Sequence, residues 1–224
     1  MKNAHSLSDW IAFFFDHPVT KPPWHWGDNP PEWEDSPDHN AAFIADAFER
    51  SGELLAPFSD EQLDQGFWHL LGGTDSIMDA LADQSVPPTL RLRALRSFVL
   101  VFEQVMVVRC SPHLSHLDEP GTNPLARGAN PLNSACYMWW DILPFRFRKD
   151  WSEPAGFDAE VLAVLRRQLT IPHDACRESA LHGLGHWVEH HPGVANVIDE
   201  FLSRTPNLRP ELVAYATRAK IRVL

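Results

Sequence analysis

Residues 178 to 191 read ESALHGLGHWVEHH, which places His182 and His186 four residues apart, with Glu178 four residues before the pair and Glu189 three after it. Wound as a helix at about 100° per residue, these four side chains share one arc roughly 80° wide. Cys176, Ala180, Leu181, Leu184, Trp187 and Val188 fall on an apolar arc about 140° wide, nearly opposite, suited to packing against other helices. The polar arc is therefore expected to form an accessible, ligand-facing ridge of Glu178, His182, His186 and Glu189. Two imidazoles one turn apart beside a carboxylate can hold zinc or another divalent first-row ion. His182, His186 and Glu189 would then be ligands, and His113 and His116, with Asp118, in the stretch HLSHLD are the first outside residues that could complete the set. His69 and His173 stand behind them.

The pair looks like half of the HExxH helix of metalloproteases, but Gly183 stands where that motif carries its glutamate, which disfavours such a protease. A plain electrostatic role competes with metal binding: Glu178 can pair with His182 at i+4, and His190 and His191 sit where cations favour a helix C-terminus. Gly183 and Gly185 each cost about 1 kcal/mol relative to alanine inside a helix, so close approach of neighbouring helices is expected at both. Cys136 with a histidine and an Asp such as Asp141 could form a thiol nucleophile site, yet a cysteine beside Tyr137, Met138 and two tryptophans reads first as packed core. No glycine-rich phosphate loop, GxSxG elbow or dinucleotide fingerprint occurs.

The elements that must carry these residues are helical. Ser6 or Ser8 caps a helix through Phe15, and six prolines in HPVTKPPWHWGDNPPEWEDSPD then force an extended arm over 17–37 whose Trp24, Trp26 and Trp33 are expected to dock on the body. An aromatic platform for a ligand is the other reading of that arm. A helix from Asp38 to about Leu55 follows, then one capped by Ser59 with Gln62 in a capping box, and a short one capped by Thr74. Pro87 and Pro88 introduce the longest pattern, TLRLRALRSFVLVFEQVMVVRC, apolar nearly all round and hence central. Residues 111–130 read as a long ordered loop, of the kind that is functional or pinned by side chains. PLNSACYMWWDIL and four C-terminal segments complete an all-α chain, since nothing alternates with period two.

Composition narrows the function classes. The 224 residues suit a single domain, and the net charge of -11 disfavours nucleic-acid binding. The charge is lopsided: residues 1–86 hold 16 acids against 3 bases, a net of -13, and the remainder is nearly neutral. No run approaches the roughly 20 apolar residues of a membrane span. The start lacks a cleavage-site pattern and the three cysteines show no CxxC spacing, so a cytoplasmic chain with reduced thiols and no disulfide framework is expected.

The segment running from Arg177 through Ala180-Leu181 and Leu184-Gly185, then after a turn from Pro192 to Leu202, resembles a HEAT-type helical repeat. Fainter echoes lie at Arg93-Ala94-Leu95 and Ala214 to Ala216. The resemblance implies antiparallel helical pairs, in a HEAT-like or irregular α-α superhelix, clearest over 150–224, with second helices lining a concave face. SDEQLDQGFWHLLGG, NPLNSACYMWWDIL and CRESALHGLGHW are similar to stretches of bacterial proteins of uncharacterised function. With the acidic N-terminal part, these observations point to a non-enzymatic protein that binds a protein partner, a basic one by charge, with no resident cofactor. A metal-dependent hydrolase or other enzyme built on His182 and His186 is the competing expectation.

Overall fold

The computed structural model of the chain describes residues 5–27, 30–72, 76–115, 130–143, 156–188, 191 and 193–221. These residues form helices and turns, with no strand among them. The first helix, α1 (Leu7–Phe15), starts on Ser6, whose Oγ accepts from Asp9 N–H at 3.2 Å while Ser6 N–H donates to Asp9 Oδ2 at 2.8 Å. Helix α2 (Pro37–Glu49) begins one residue earlier than Asp38, because Ser36 caps it and Pro37 fills its first position.

The sequence pattern runs on to Leu55, but the helix breaks at Arg50 and resumes as α3 (Ser51–Leu54). Gln104 bridges the break: its Nε2 donates to the Glu49 carbonyl at 3.3 Å, and its Oε1 accepts from Gly52 N–H at 2.9 Å. Helix α4 (Asp60–Gly72) carries the expected capping box, with Ser59 N–H donating to Gln62 Oε1 at 3.0 Å and Gln62 N–H to Ser59 Oγ at 3.2 Å. The short 3₁₀ segment Ile77–Leu81 is capped by Ser76, whose Oγ accepts from Met78 N–H at 3.2 Å; Thr74, the cap expected from the sequence, lies outside the described residues.

Helix α5 (Pro88–Val101) passes through a π-helical turn, Phe102–Met106, into α6 (Val107–Arg109), so the longest apolar pattern is one continuous helical rod. The wide π turn is what presents Gln104 to the α2/α3 junction. Helix α7 (Leu132–Met138) is shorter than the pattern suggested and gives way to turns over Trp139–Ile142. Both tryptophans there are buried. Trp139 sits among Phe48, Phe67, Phe98 and Phe102, with ring centroids 5.8, 5.3, 5.8 and 5.2 Å away, and so joins α2, α4, α5 and the π turn in one aromatic core. Trp140 donates from Nε1 to Gln168 Oε1 at 2.9 Å.

The C-terminal part contains α8 (Phe157–Leu169), α9 (Asp174–Trp187), α10 (Val194–Arg204) and α11 (Pro210–Ala219). Helix α9 packs against α7, α8, α10 and α11. Arg93 bridges Asp46 and Glu49, and Arg109 meets Asp60, so part of the N-terminal acidity is matched internally. The arm behaves unevenly: Trp24 stacks on His17 at 3.7 Å and Trp33 donates from Nε1 to Asn40 Oδ1 at 3.1 Å, but Trp26 is 70% exposed and does not dock as expected. No helix among the described residues is long and apolar enough to cross a membrane.

Candidate functional site

Being surrounded on several sides, α9 does not present the ridge expected of its polar arc. Glu178 is fully buried and His182 is 7% exposed, while His186 is partly exposed. Glu178 accepts from Ser115 N–H at 2.8 Å, and the Ser115 hydroxyl donates to the Asn133 carbonyl at 3.1 Å. Asn133 also holds Ser111 and His113 by their backbones, so the near end of the 111–130 loop is pinned by side chains onto α7 and α9. The polar arc faces protein because this loop and α7 cover it. Glu189 and His116, with Asp118 and His190, lie outside the described residues.

His182 and His186 come together with Asp141, a residue the sequence had associated with Cys136. His186 Nε2 lies 3.1 Å from His182 Nε2 and 3.1 Å from Asp141 Oδ1. One donor atom from each of the three residues lies within 4.8 Å of the other two. His113 is not among the three residues whose donor atoms lie together; Asp141 is the carboxylate beside the two imidazoles. The turn after α7 supplies the carboxylate: the backbone N–H of Asp141 donates to Met138 O at 2.9 Å, tightening the helix end and turning this residue toward α9.

Both tyrosines of the chain stand at the same place. Tyr215, on α11, places its hydroxyl 2.8 Å from His182 Nδ1, and Tyr137, on α7, lies with its ring 4.5 Å from that of His182. The two hydroxyls are 3.4 Å apart. Burial pushes Tyr137 up to about 12, and burial followed by the neighbouring Tyr137 pushes Tyr215 further in the same direction, so both phenols keep their protons at neutral pH.

A second convergence was invisible in the sequence. Cys110, Cys136 and Cys176, distant along the chain, are buried together without forming disulfides, with His173 beside Cys176. Hydrogen bonding with Cys110 and Cys176, reinforced by burial, raises the Cys136 thiol well above its usual range; the contact with Cys136 lowers Cys176, against its burial. Spacing gave no sign of this cluster, because the three thiols come from the end of α6, from α7 and from α9.

The N-terminal part holds a groove of about 1140 Å³ between the proline-rich arm, α1, α4 and the 3₁₀ segment. Glu32, Glu34, Asp35, Asp79 and Asp83 line it, with no lysine or arginine among the described lining residues, alongside Trp26, Trp33 and Trp68. His25 and His69, also in its wall, are each pushed down to about 4, mainly by burial, so they are neutral at pH 7 and do not offset the carboxylates. The acids of the N-terminal part are therefore concentrated in a concave surface as well as spread over exposed helix faces.

No known protein family, curated protein or solved structure matches this chain.

Proposed function

We propose that this chain is a non-enzymatic interaction protein that takes a basic segment of a protein partner into its acidic, tryptophan-lined groove. The observation that carries the reading is the groove itself: five carboxylates and three indoles around about 1140 Å³, with no arginine or lysine among the described lining residues. Carboxylates steer and orient a cationic partner, and an indole face adds about 0.5–2 kcal/mol for each guanidinium or ammonium it meets. The volume exceeds the roughly 300–1,000 Å³ of ordinary small-molecule pockets, which suits a peptide segment. Helices α8–α11 act in this reading as a HEAT-like scaffold behind the groove-bearing part.

Titration of the full chain with arginine-rich and glutamate-rich peptides of equal length, followed by tryptophan fluorescence, tests the proposal. The basic peptide is expected to bind with a steep loss of affinity as salt rises. Glu32→Gln combined with Asp79→Asn is expected to weaken it by at least about tenfold, or 1.4 kcal/mol. Equal binding of the two peptides, or full affinity in the double variant, would overturn the assignment.

A further inference from the structure

We propose that His182, His186 and Asp141 form a binding centre for a divalent first-row transition ion of the zinc class, positioned by Tyr215 and separate from the acidic groove. The argument begins with the hydrogen-bonding capacity of one atom. An imidazole nitrogen carries either one proton or one lone pair in the ring plane, so it makes one good hydrogen bond. His186 Nε2 has two close partners, His182 Nε2 and Asp141 Oδ1, both at 3.1 Å. A single proton on His186 cannot serve both, and a proton on His182 directed at His186 would require the lone pair that a proton toward Asp141 removes. A cation between the three atoms satisfies every inward lone pair at once.

The distances agree with that cation. Metal–nitrogen bonds of about 2.0–2.1 Å in tetrahedral geometry separate adjacent ligand atoms by roughly 3.3 Å. Two edges, at 3.1 Å, are close to this, and one ligand atom from each of the three residues lies within 4.8 Å of the others. Ligating histidines generally use their second nitrogen to donate to an outer partner, which fixes the tautomer. Tyr215 stands as that partner, its hydroxyl 2.8 Å from His182 Nδ1; with the ring proton on Nδ1 and donated to it, His182 Nε2 turns its lone pair toward the centre. The Tyr137 ring packs beside the same imidazole, tilted by 39° to it.

The centre is graded in exposure. His182 forms its buried base, whereas the side chains of His186 and Asp141 are 20% and 28% exposed. Three protein ligands with a solvent-facing side match sites that keep one position for water or another small ligand. Two imidazoles and a carboxylate also suit cobalt, which serves as a spectroscopic stand-in for zinc.

Chelator-stripped full chain titrated with Co²⁺, followed by competition with Zn²⁺, tests the proposal. The expected result is one equivalent of Co²⁺ with visible d–d absorption and no thiolate-to-metal band in the near ultraviolet, displaced by Zn²⁺. Asp141→Ala and His186→Gln, both at partly exposed positions, are each expected to weaken binding at least about tenfold while the metal-free protein keeps its helical circular dichroism. Tyr215→Phe removes only the positioning hydroxyl and is expected to weaken binding by about 10–100-fold without abolishing it. Absence of saturable uptake would overturn the proposal. So would a thiolate band, which would assign the ion to the cysteine cluster, or unchanged affinity in the Asp141 and His186 variants.

Discussion

Replacing Gly183 by alanine measures how tightly α9 is held against its neighbours. A methyl group at this position would lie 2.7 Å from Trp140 Cγ, 2.9 Å from Trp140 Cβ and 3.0 Å from Leu165 Cδ2. Carbon atoms prefer separations of about 3.5–4.0 Å, so the neighbour has to give by most of an ångström. The two nearest atoms are at the root of the indole, where rotation of the side chain brings little relief, and Trp140 is buried and tied to Gln168. Overpacking of this kind costs about 1–3 kcal/mol, and the upper part of that range applies when the obstructing group cannot swing away. Exchange of glycine for alanine within a helix returns about 1 kcal/mol. The net expectation is a loss of about 2 kcal/mol, or roughly 4–8 °C in Tm for a chain of this size. Gly72→Ala is the control, because among the described residues its methyl would meet only Ile142, at 3.8 and 4.0 Å. Urea denaturation of both variants decides the matter: a Gly183→Ala midpoint equal to or above the parent's would refute the close-packing argument, whatever the control does.

Burial pushes the Asp64 carboxyl up to about 7, against the lowering effect of its hydrogen bond with Trp68. The folded chain then holds a proton at Asp64 that the unfolded chain releases near pH 4, so this group's contribution to stability falls as pH rises from about 4 to 7, by about 2–4 kcal/mol. Asp64→Asn is expected to remove that slope, seen as a wild-type minus variant stability difference that shrinks between pH 5 and pH 8 in urea titrations. Glu178→Ala leaves the buried Ser115 N–H without its acceptor and is expected to cost about 1–3 kcal/mol. Glu178→Gln keeps an oxygen for that bond and is expected to retain most of the stability, a contrast readable by thermal denaturation.

The helices were legible because their causes are local. Ser6 with Asp9, Ser59 with Gln62, and prolines at first-turn positions mark starts within a few residues, and the segment FDAEVLAVLRRQL coincides with α8. Where the sequence pattern overran, a partner from a distant element intervened. Gln104 takes over the backbone groups at the break between α2 and α3, and the burial of both Trp139 and Trp140 accompanies the end of α7 before its apolar pattern is exhausted.

The histidine segment shows the division most clearly. Its spacing determined that His182 and His186 would be neighbours on one helix face, and Gly183 signalled close packing, because both follow from 3.6 residues per turn and from the lack of a side chain. Which residues face that pair was decided only in three dimensions. Helix periodicity assigns side chains to faces of one helix, but it does not say which other element covers each face. Thus Glu178, polar by pattern, became the buried anchor of Ser115, and Asp141 met the imidazoles. The convergence of three distant cysteines and the folding of the acidic arm around a groove have the same origin: they are set by how helices pack, which no short stretch of this sequence encodes alone.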